Sequence, residues 1–308
     1  MSAAVISARD LRKEFGDFVA VDGIDFDVEQ GESFGFLGPN GAGKTSTMRM
    51  IGCVSPITAG HLRIFDLDPA RDGSAIRARR GVVPQADQLD PELTVMENLV
   101  IYGRYFDISR RESRERASEL LEFVQLGERA HDLVDPLSGG MKRRLTIARS
   151  LMSDPDLLLL DEPTTGLDPQ ARHILWDRLY RLKQDGVTLV LTTHYMDEAE
   201  QLCDRLVVMD RGHIVAKGSP RSLIQQHATR EVLELRFPIG AAEQHAPEVN
   251  GIGERIETLP DRILIYAHDG DEALAEIHRR GLEPIGSLVR RASLEDVFLR
   301  LTGRTLVD

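Results

Sequence analysis

A glycine-rich stretch near the N-terminus carries the residue types that bind phosphate. It follows the strand-like SFGFL and precedes a helical segment, and its residues are Gly38, Pro39, Asn40, Gly41, Ala42, Gly43, Lys44 and Thr45. The glycines let the backbone curl so that its N–H groups face an anion at a helix N-terminus, while the lysine adds a cation and the threonine hydroxyl can ligate Mg²⁺. The pattern predicts a phosphate-binding loop for a nucleotide. A structural turn alone is the weaker interpretation.

Two neighbouring carboxylates end a strongly apolar run. Leu157–Leu160 indicates a buried strand, and Asp161 and Glu162 follow it directly. Because neighbouring side chains of an extended chain point in opposite directions, the two acids can have separate tasks. We expect Asp161 to face a Mg²⁺ shell and Glu162 to be the general base for a water that attacks the γ-phosphate. An ordinary solvated strand end is the alternative, which the phosphate-binding loop disfavours.

A second glycine-rich segment precedes a helix in the middle of the chain. Its residues are Leu137, Ser138, Gly139, Gly140 and Met141. The strongly helical run Lys142–Met152 follows, so the segment forms a helix N-terminus that suits an anion. One nucleotide hardly needs two such sites in one chain. A simple helix cap is the alternative for this segment taken alone.

In this order the three motifs resemble those of the ATP-binding-cassette (ABC) ATPases, whose signature motif is LSGGM in this chain. The resemblance covers about residues 9–220. It implies ATP and Mg²⁺ as cofactors. It also implies that two subunits, expected to be identical, pair head to tail so that the signature of one closes on the ATP of the other.

The resemblance also assigns roles to single residues. Phe15 would stack on adenine, Gln85 would contact Mg²⁺ and relay to a membrane subunit, and His194 would contact the γ-phosphate as a catalytic residue beside Glu162. Asp168 would lie in a loop across the dimer interface. The predicted ATP contacts are Phe15, Gly38, Pro39, Asn40, Gly41, Ala42, Gly43, Lys44, Thr45, Ser46 and Gln85. The predicted Mg²⁺ ligands are Thr45, Gln85 and Asp161.

Two positions depart from the commonest family pattern. The signature ends in Met141 where glutamine is usual, and the adenine platform is Phe15 where tyrosine is more frequent. Neither change removes a group that handles phosphate. We therefore expect an active ATP hydrolase rather than a purely regulatory subunit.

The elements that must position these residues follow an α/β pattern. Short apolar runs alternate with helical patterns through about residue 228, which predicts a largely parallel sheet. The strands stop between Gln88 and Asp135, and we expect an inserted helical subdomain over about residues 88–150. With the resemblance, residues 1–228 are predicted to be an ABC nucleotide-binding domain of phosphate-loop NTPase fold, with a RecA-like core, a β-subdomain and this helical insert.

A small α+β domain is predicted over residues 229–308. Apolar residues alternate with charged ones from Leu233 to Phe237, as in a half-buried strand. A second strand is expected near Arg262–Tyr266, a helix near Asp271–Arg280, and a last helix capped by Ser293.

Composition excludes several classes of partner. The formal charge of −12 argues against a general affinity for nucleic acid or anionic lipid. No apolar run approaches the roughly 20 residues of a spanning helix, and the charged N-terminus lacks a secretory signal pattern. Composition therefore predicts a cytosolic chain, and the ABC resemblance implies a peripheral subunit at the cytoplasmic face of the cell membrane, which touches the membrane only through a permease.

A narrower resemblance joins four segments: GPNGAGKT, LSGGMKRR, DEPTTGLDPQAR and ASLEDVFLRLTGR. Together they resemble the drug-export and nodulation-factor-export ATPases, whose partner is a separate ABC-2-type membrane permease. This implies efflux of a drug, lipid or lipo-oligosaccharide, with the C-terminal domain either stabilising the dimer or acting as a passive cap. An importer ATPase and a soluble non-transport ABC ATPase remain the alternatives.

Overall fold

The computed structural model describes residues 4–303, which divide into two compact units with the boundary between Lys217 and Gly218. The boundary therefore precedes the predicted one at residue 228. The intervening helix Pro220–His227 belongs to the second unit because it packs on the last helix of that unit, Leu294–Thr302.

Three layers make up the first unit. Its strands are β1 (Ala4–Phe15), β2 (Phe18–Glu29), β3 (Ser33–Leu37), β4 (Ala59–Ile64), β5 (Arg80–Val83), β6 (Leu157–Asp161), β7 (Thr188–Thr193), β8 (Arg205–Asp210) and β9 (His213–Gly218). Its helices are α1 (Lys44–Ile51), α2 (Pro69–Ala78), α3 (Val95–Gly103), α4 (Arg110–Phe123), α5 (Gly139–Ser150), α6 (Pro169–Gln184) and α7 (Met196–Leu202).

A six-stranded sheet in the order β5-β6-β7-β3-β8-β9 forms the centre of this unit. The pairs β5/β6, β6/β7, β7/β3 and β3/β8 are all parallel, as the alternation of strands and helices predicts. Every residue of β3 and β7 is buried, which is typical of a parallel sheet covered on both faces. The carboxyl ends of β3, β6 and β7 therefore lie side by side, and the motif residues follow these ends.

Two further layers flank that sheet. An antiparallel sheet in the order β2-β1-β4 packs its apolar side chains into the same core as β3 and α1. Between β5 and β6 the chain forms α3, α4 and α5, which share a separate apolar core that includes Leu99, Leu121 and Leu145. This segment is the helical insert, and α5 ends at Ser150.

The second unit is an antiparallel sheet with helices on both faces. It contains α8 (Pro220–His227), β10 (Glu231–Arg236), α9 (Ala242–His245), β11 (Arg255–Leu259), β12 (Arg262–Ala267), α10 (Gly270–Arg279), β13 (Gly286–Arg291) and α11 (Leu294–Thr302). The strand order is β11-β12-β10-β13. Leu233 and Ile265 face a core that α10 completes, whereas Val232 and Leu264 face the side of α8. No helix within residues 4–303 is both long and apolar enough to cross a membrane.

Candidate functional site

The glycine-rich loop connects β3 to α1, and its backbone shape depends on glycine. Gly41 and Gly43 have φ values of 80° and 100°, a region that residues with a Cβ seldom occupy. A Cβ on Gly43 would lie 2.4 Å from the Ala20 carbonyl oxygen, and one on Gly38 would lie 2.3 Å from the Met209 carbonyl oxygen. The surrounding backbone therefore admits no side chain at these two positions.

Lys44 begins α1 with its ammonium group under this loop. The side chain is 5% exposed, and its Nζ donates to the carbonyl oxygens of Gly38 at 2.7 Å and Pro39 at 3.0 Å. Burial lowers the pKa of Lys44, while the carboxylates of Glu162 and Asp161 oppose that shift. The loop thus holds a cation at the N-terminus of a helix, as phosphate binding requires.

Asp161 is the last residue of β6, and its carboxylate faces α1. Its Oδ1 accepts a hydrogen bond from the Thr192 hydroxyl at 2.5 Å and lies 3.5 Å from the hydroxyl of Thr45. A hydroxyl and a carboxylate at this separation are hard oxygen donors of the kind that Mg²⁺ prefers. With the amide oxygen of Gln85, the donor set fits this ion.

Glu162 is 8% exposed and lies among four polar side chains. Its Oε2 accepts from Gln85 Nε2 at 3.1 Å and from Thr165 Oγ1 at 3.2 Å. Its Oε1 lies 3.9 Å from Lys44 Nζ and 3.2 Å from His194 Nδ1. The fold therefore brings together the predicted base, the loop lysine and two single residues that the resemblance selected.

The two acids separate for a reason other than the predicted one. Strand β6 ends at Asp161, and Glu162 has a φ of 46°, so the pair does not alternate along one extended strand. The left-handed turn directs Glu162 toward Gln85 and His194 while Asp161 stays near Thr45. The sequence predicts separate surroundings for the two acids, but it does not predict the left-handed backbone conformation at Glu162 that produces them.

The signature segment caps α5. Ser138 precedes the helix, and its hydroxyl accepts from the Met141 N–H at 3.3 Å. Gly139 has open space where a Cβ would be, whereas a Cβ on Gly140 would lie 2.9 Å from Ala171 Cβ. Leu137 belongs to the apolar core of the helical insert. The segment is therefore anchored by a buried side chain and leaves the helix N-terminus open at Gly139.

Phe15 and Asp168 lie on the surface. Phe15 ends β1 with 51% of its area exposed, and Lys13 Nζ lies 4.8 Å from its ring centroid. Asp168 caps α6, where its carboxylate accepts from the Ala171 N–H at 2.9 Å. Exposure suits both an adenine platform and an interface residue, and these two roles stay predictions.

Sequence reasoning missed Arg143 of the signature helix. Its guanidinium is buried and donates to the backbone carbonyls of Asp161 at 3.0 Å, Glu162 at 3.1 Å and Pro163 at 2.7 Å. It also donates to the Pro84 carbonyl, next to Gln85. Burial lowers the pKa of Arg143. The signal was present in LSGGMKRR, but nothing local shows that one arginine of this motif contacts the backbone of both carboxylates.

Comparison with known proteins identifies the family. Residues 21–165 match the family model described as ABC transporter, and residues 240–303 match that of the nodulation factor export protein NodI, C-terminal domain. The Nod factor export ATP-binding protein I of Paraburkholderia xenovorans is 46% identical over 310 residues, with all of both chains covered. The protein of the same name from Cupriavidus metallidurans is 46% identical over 306 residues, 99% of each chain. The chain is an ABC transporter ATPase of the NodI group.

Solved structures agree with this assignment. An ATP-binding subunit of an ABC transporter superimposes on this ABC ATPase with a TM-score of 0.65 at 29% identity, over 72% of this chain and 92% of that one. A dimeric ATP-binding cassette in a post-hydrolysis state, with ADP and phosphate bound, gives 0.64 at 28% identity, over 70% and 98%. The predicted fold class is confirmed, as is the prediction of an ATP-hydrolysing subunit of an ABC exporter.

Proposed function

We propose that this ABC ATPase powers the export of a lipo-oligosaccharide through a separate ABC-2-type permease. The main support for this proposal is a match over the full length of the chain, including the C-terminal unit, to proteins named for Nod factor export. In this proposal the chain is a peripheral subunit at the cytoplasmic face, residues 88–150 are the helical insert predicted from sequence, and the second unit, which begins at Gly218, is the accessory domain.

ATP is held by the loop and by groups at the ends of β1 and β6. The N–H groups of Gly41–Ser46 and the ammonium of Lys44 bind the phosphates, and Phe15 stacks on the adenine. The oxygens of Thr45, Gln85 and Asp161 would hold Mg²⁺, which would neutralise charge on the phosphates. The short distance between Thr45 and Asp161 supports this assignment.

Glu162 accepts the proton of the attacking water. Its Oε2 is held by Gln85 and Thr165, whereas its Oε1 lies beside His194 Nδ1 and near Lys44 Nζ. The water oxygen forms a bond to the γ-phosphorus, the bond to the β-phosphate oxygen breaks, and the products are ADP and phosphate. His194 lies within 3.2 Å of the same carboxylate oxygen, which supports a role in orienting Glu162 and contacting the γ-phosphate.

A homodimer completes two such sites. The N-terminus of α5 is a second anion site with an open approach at Gly139, and a related cassette was solved as a dimer. Closure of two chains around two ATP molecules would drive the permease between its inward-facing and outward-facing states.

Transport into inside-out vesicles tests this function. Vesicles that contain this chain and its co-purifying polytopic partner should accumulate a fatty-acylated oligosaccharide when ATP is added, and the same sugar without its acyl chain should stay outside. Vesicles with Glu162→Gln should bind ATP but hydrolyse it about 10² to 10⁴ times more slowly, the usual range for a lost general base. Accumulation of a hydrophobic drug in place of the acylated sugar would overturn the substrate class, and unimpaired hydrolysis by Glu162→Gln would overturn the base.

A further inference from the structure

Thr192 lies at the centre of the site, although no motif selects it. It is the second-last residue of β7, and its side chain is fully buried. Parallel pairing of β6 and β7 sets Thr192 directly opposite Asp161. Its position is therefore decided by the register of two strands that lie 31 residues apart in sequence.

One hydroxyl group of Thr192 contacts both acidic residues. Its Oγ1 donates to Asp161 Oδ1 at 2.5 Å and accepts from the Glu162 backbone N–H at 3.0 Å. A carboxylate only accepts hydrogen bonds and an N–H only donates, so a single atom that serves both must belong to a hydroxyl. Valine has nearly the same shape but would leave a buried donor and a buried acceptor without this partner.

The backbone of Glu162 needs such support. A φ of 46° is unfavourable for a residue with a side chain. The N–H of Glu162 is held by the Thr192 carbonyl oxygen at 3.1 Å as well as by its hydroxyl, and the carbonyl of Glu162 is held by Arg143. Both backbone polar groups of Glu162 are therefore hydrogen-bonded, the N–H to Thr192 and the carbonyl to Arg143.

We propose that Thr192 is a positioning residue for ATP hydrolysis, whose hydroxyl sets the direction of the Glu162 carboxylate relative to that of Asp161. The inference deepens the proposed function and rests on Glu162 as the base. Thr192 does not touch the reacting atoms. Its loss should lower kcat and leave ATP binding almost intact, because the ammonium of Lys44 is held by the Gly38 and Pro39 carbonyls and not by the Thr192 hydroxyl.

Thr188 offers a matched control on the same strand. It is also fully buried, and its hydroxyl accepts a hydrogen bond from the Gly31 N–H at 3.0 Å at the opposite end of β7. Thr192→Val and Thr188→Val therefore remove the same group from the same strand. Only Thr192→Val should reduce kcat, by about 30-fold, within the range that small displacements of catalytic groups produce. Calorimetry should show that the affinity for ATP changes less than about threefold in both variants. The interaction lost in Thr192→Val acts on the transition state of hydrolysis, so its removal lowers kcat without weakening ATP binding.

Serine and alanine at position 192 keep the test decisive if valine prevents folding. The two replacements differ only in the hydroxyl. Thr192→Ser should retain kcat within about threefold of the parent, and Thr192→Ala should lose as much as Thr192→Val, because only serine keeps the shared donor and acceptor. Equal rates for serine and alanine, or equal losses for Thr192→Val and Thr188→Val, would overturn the inference.

Glu162→Gln in the same assay distinguishes a wrong assignment of the base from a wrong role for Thr192. If this variant is inactive while Thr192→Val and Thr192→Ala hydrolyse at the parent rate, the base stands and the positioning role of Thr192 is wrong. If Glu162→Gln hydrolyses at the parent rate, the base assignment fails and the inference on Thr192 fails with it.

Discussion

Glu162 and Asp296 are both almost fully buried carboxylates, but they are held in opposite ways. Asp296 receives Arg290 in a bidentate contact at 2.7 and 2.9 Å, the Ser293 N–H at 2.8 Å and the Tyr266 hydroxyl at 3.2 Å. Glu162 receives neutral donors at its Oε2, and its cationic neighbour Lys44 lies 3.9 Å away.

The difference separates a structural acid from one that is available for chemistry. Burial acts to raise the pKa of Asp296, but Arg290 and Ser293 outweigh it and the pKa lies below its usual value. Both carboxylate oxygens of Asp296 already accept hydrogen bonds, so this acid contributes to stability and is not available for proton transfer. The Oε1 of Glu162 has no bidentate arginine partner and lies 3.9 Å from Lys44 Nζ and 3.2 Å from His194 Nδ1, an arrangement that suits the base proposed above.

Breaking the Asp296 network should have the largest effect. Asp296→Asn leaves the half-buried Arg290 without its carboxylate in the second unit, which should lower the free energy of unfolding by about 3 kcal/mol because the charge-assisted hydrogen bonds are lost. Chemical denaturation measures the loss. Glu276→Gln, which removes a more exposed partner of Arg279 and Arg280, should cost less than about 1 kcal/mol. Equal losses of unfolding free energy in the two variants would contradict a structural role for Asp296.

A third buried acid sharpens the contrast through pH. Glu198 is fully buried, and neither carboxylate oxygen has a well-directed hydrogen bond among the described residues. Burial raises its pKa from 4.5 to about 7, although Thr193, Thr164 and Trp176 oppose the shift. Between these two pH values the unfolded chain is ionised while the folded chain keeps the proton, so stability falls as pH rises.

Glu198→Gln should remove this pH dependence. The stability of the variant relative to the parent should rise by about 3 kcal/mol between pH 4 and pH 8, at about 1.4 kcal/mol for each unit of pKa shift. Urea unfolding at one-unit intervals of pH measures it. Parallel stability curves for the two proteins would show that Glu198 titrates normally.

Removing the cation beside Glu162 should affect binding instead of stability. Lys44→Ala should raise the Kd for ATP about 100-fold, or about 2.7 kcal/mol, because the charge-assisted contacts to the phosphates are lost. Calorimetry measures the change, and alanine at the exposed Lys217 provides the control. An unchanged affinity in Lys44→Ala would contradict the phosphate-binding loop.

The smallest effect is expected at the adenine platform. Phe15→Ala should weaken ATP binding about tenfold, since stacking on a base contributes about 1–3 kcal/mol, and Phe15→Tyr should restore it. Inorganic triphosphate has no base and should bind the parent and both variants equally. A loss of triphosphate affinity in Phe15→Ala would place the ring near the phosphates instead.

Much of this protein follows from local sequence patterns. The apolar run before Asp161 is a buried strand, the glycine-rich loop joins a strand to a helix, and Ser138 caps a helix. The alternation of strands and helices predicts the parallel sheet that the fold contains. Such features are readable because periodicity, capping and glycine conformations depend on residues only a few positions apart.

Tertiary structure decided how distant residues share the site. Gln85 reaches Glu162 across 77 residues, and Thr192 meets Asp161 through strand register. Arg143 joins the backbone of two loops, and the left-handed turn at Glu162 replaces the alternation that the sequence predicts. Local pattern shows which residues can do chemistry, but strand order and register bring their side chains within hydrogen-bonding distance, and those depend on how the entire core packs.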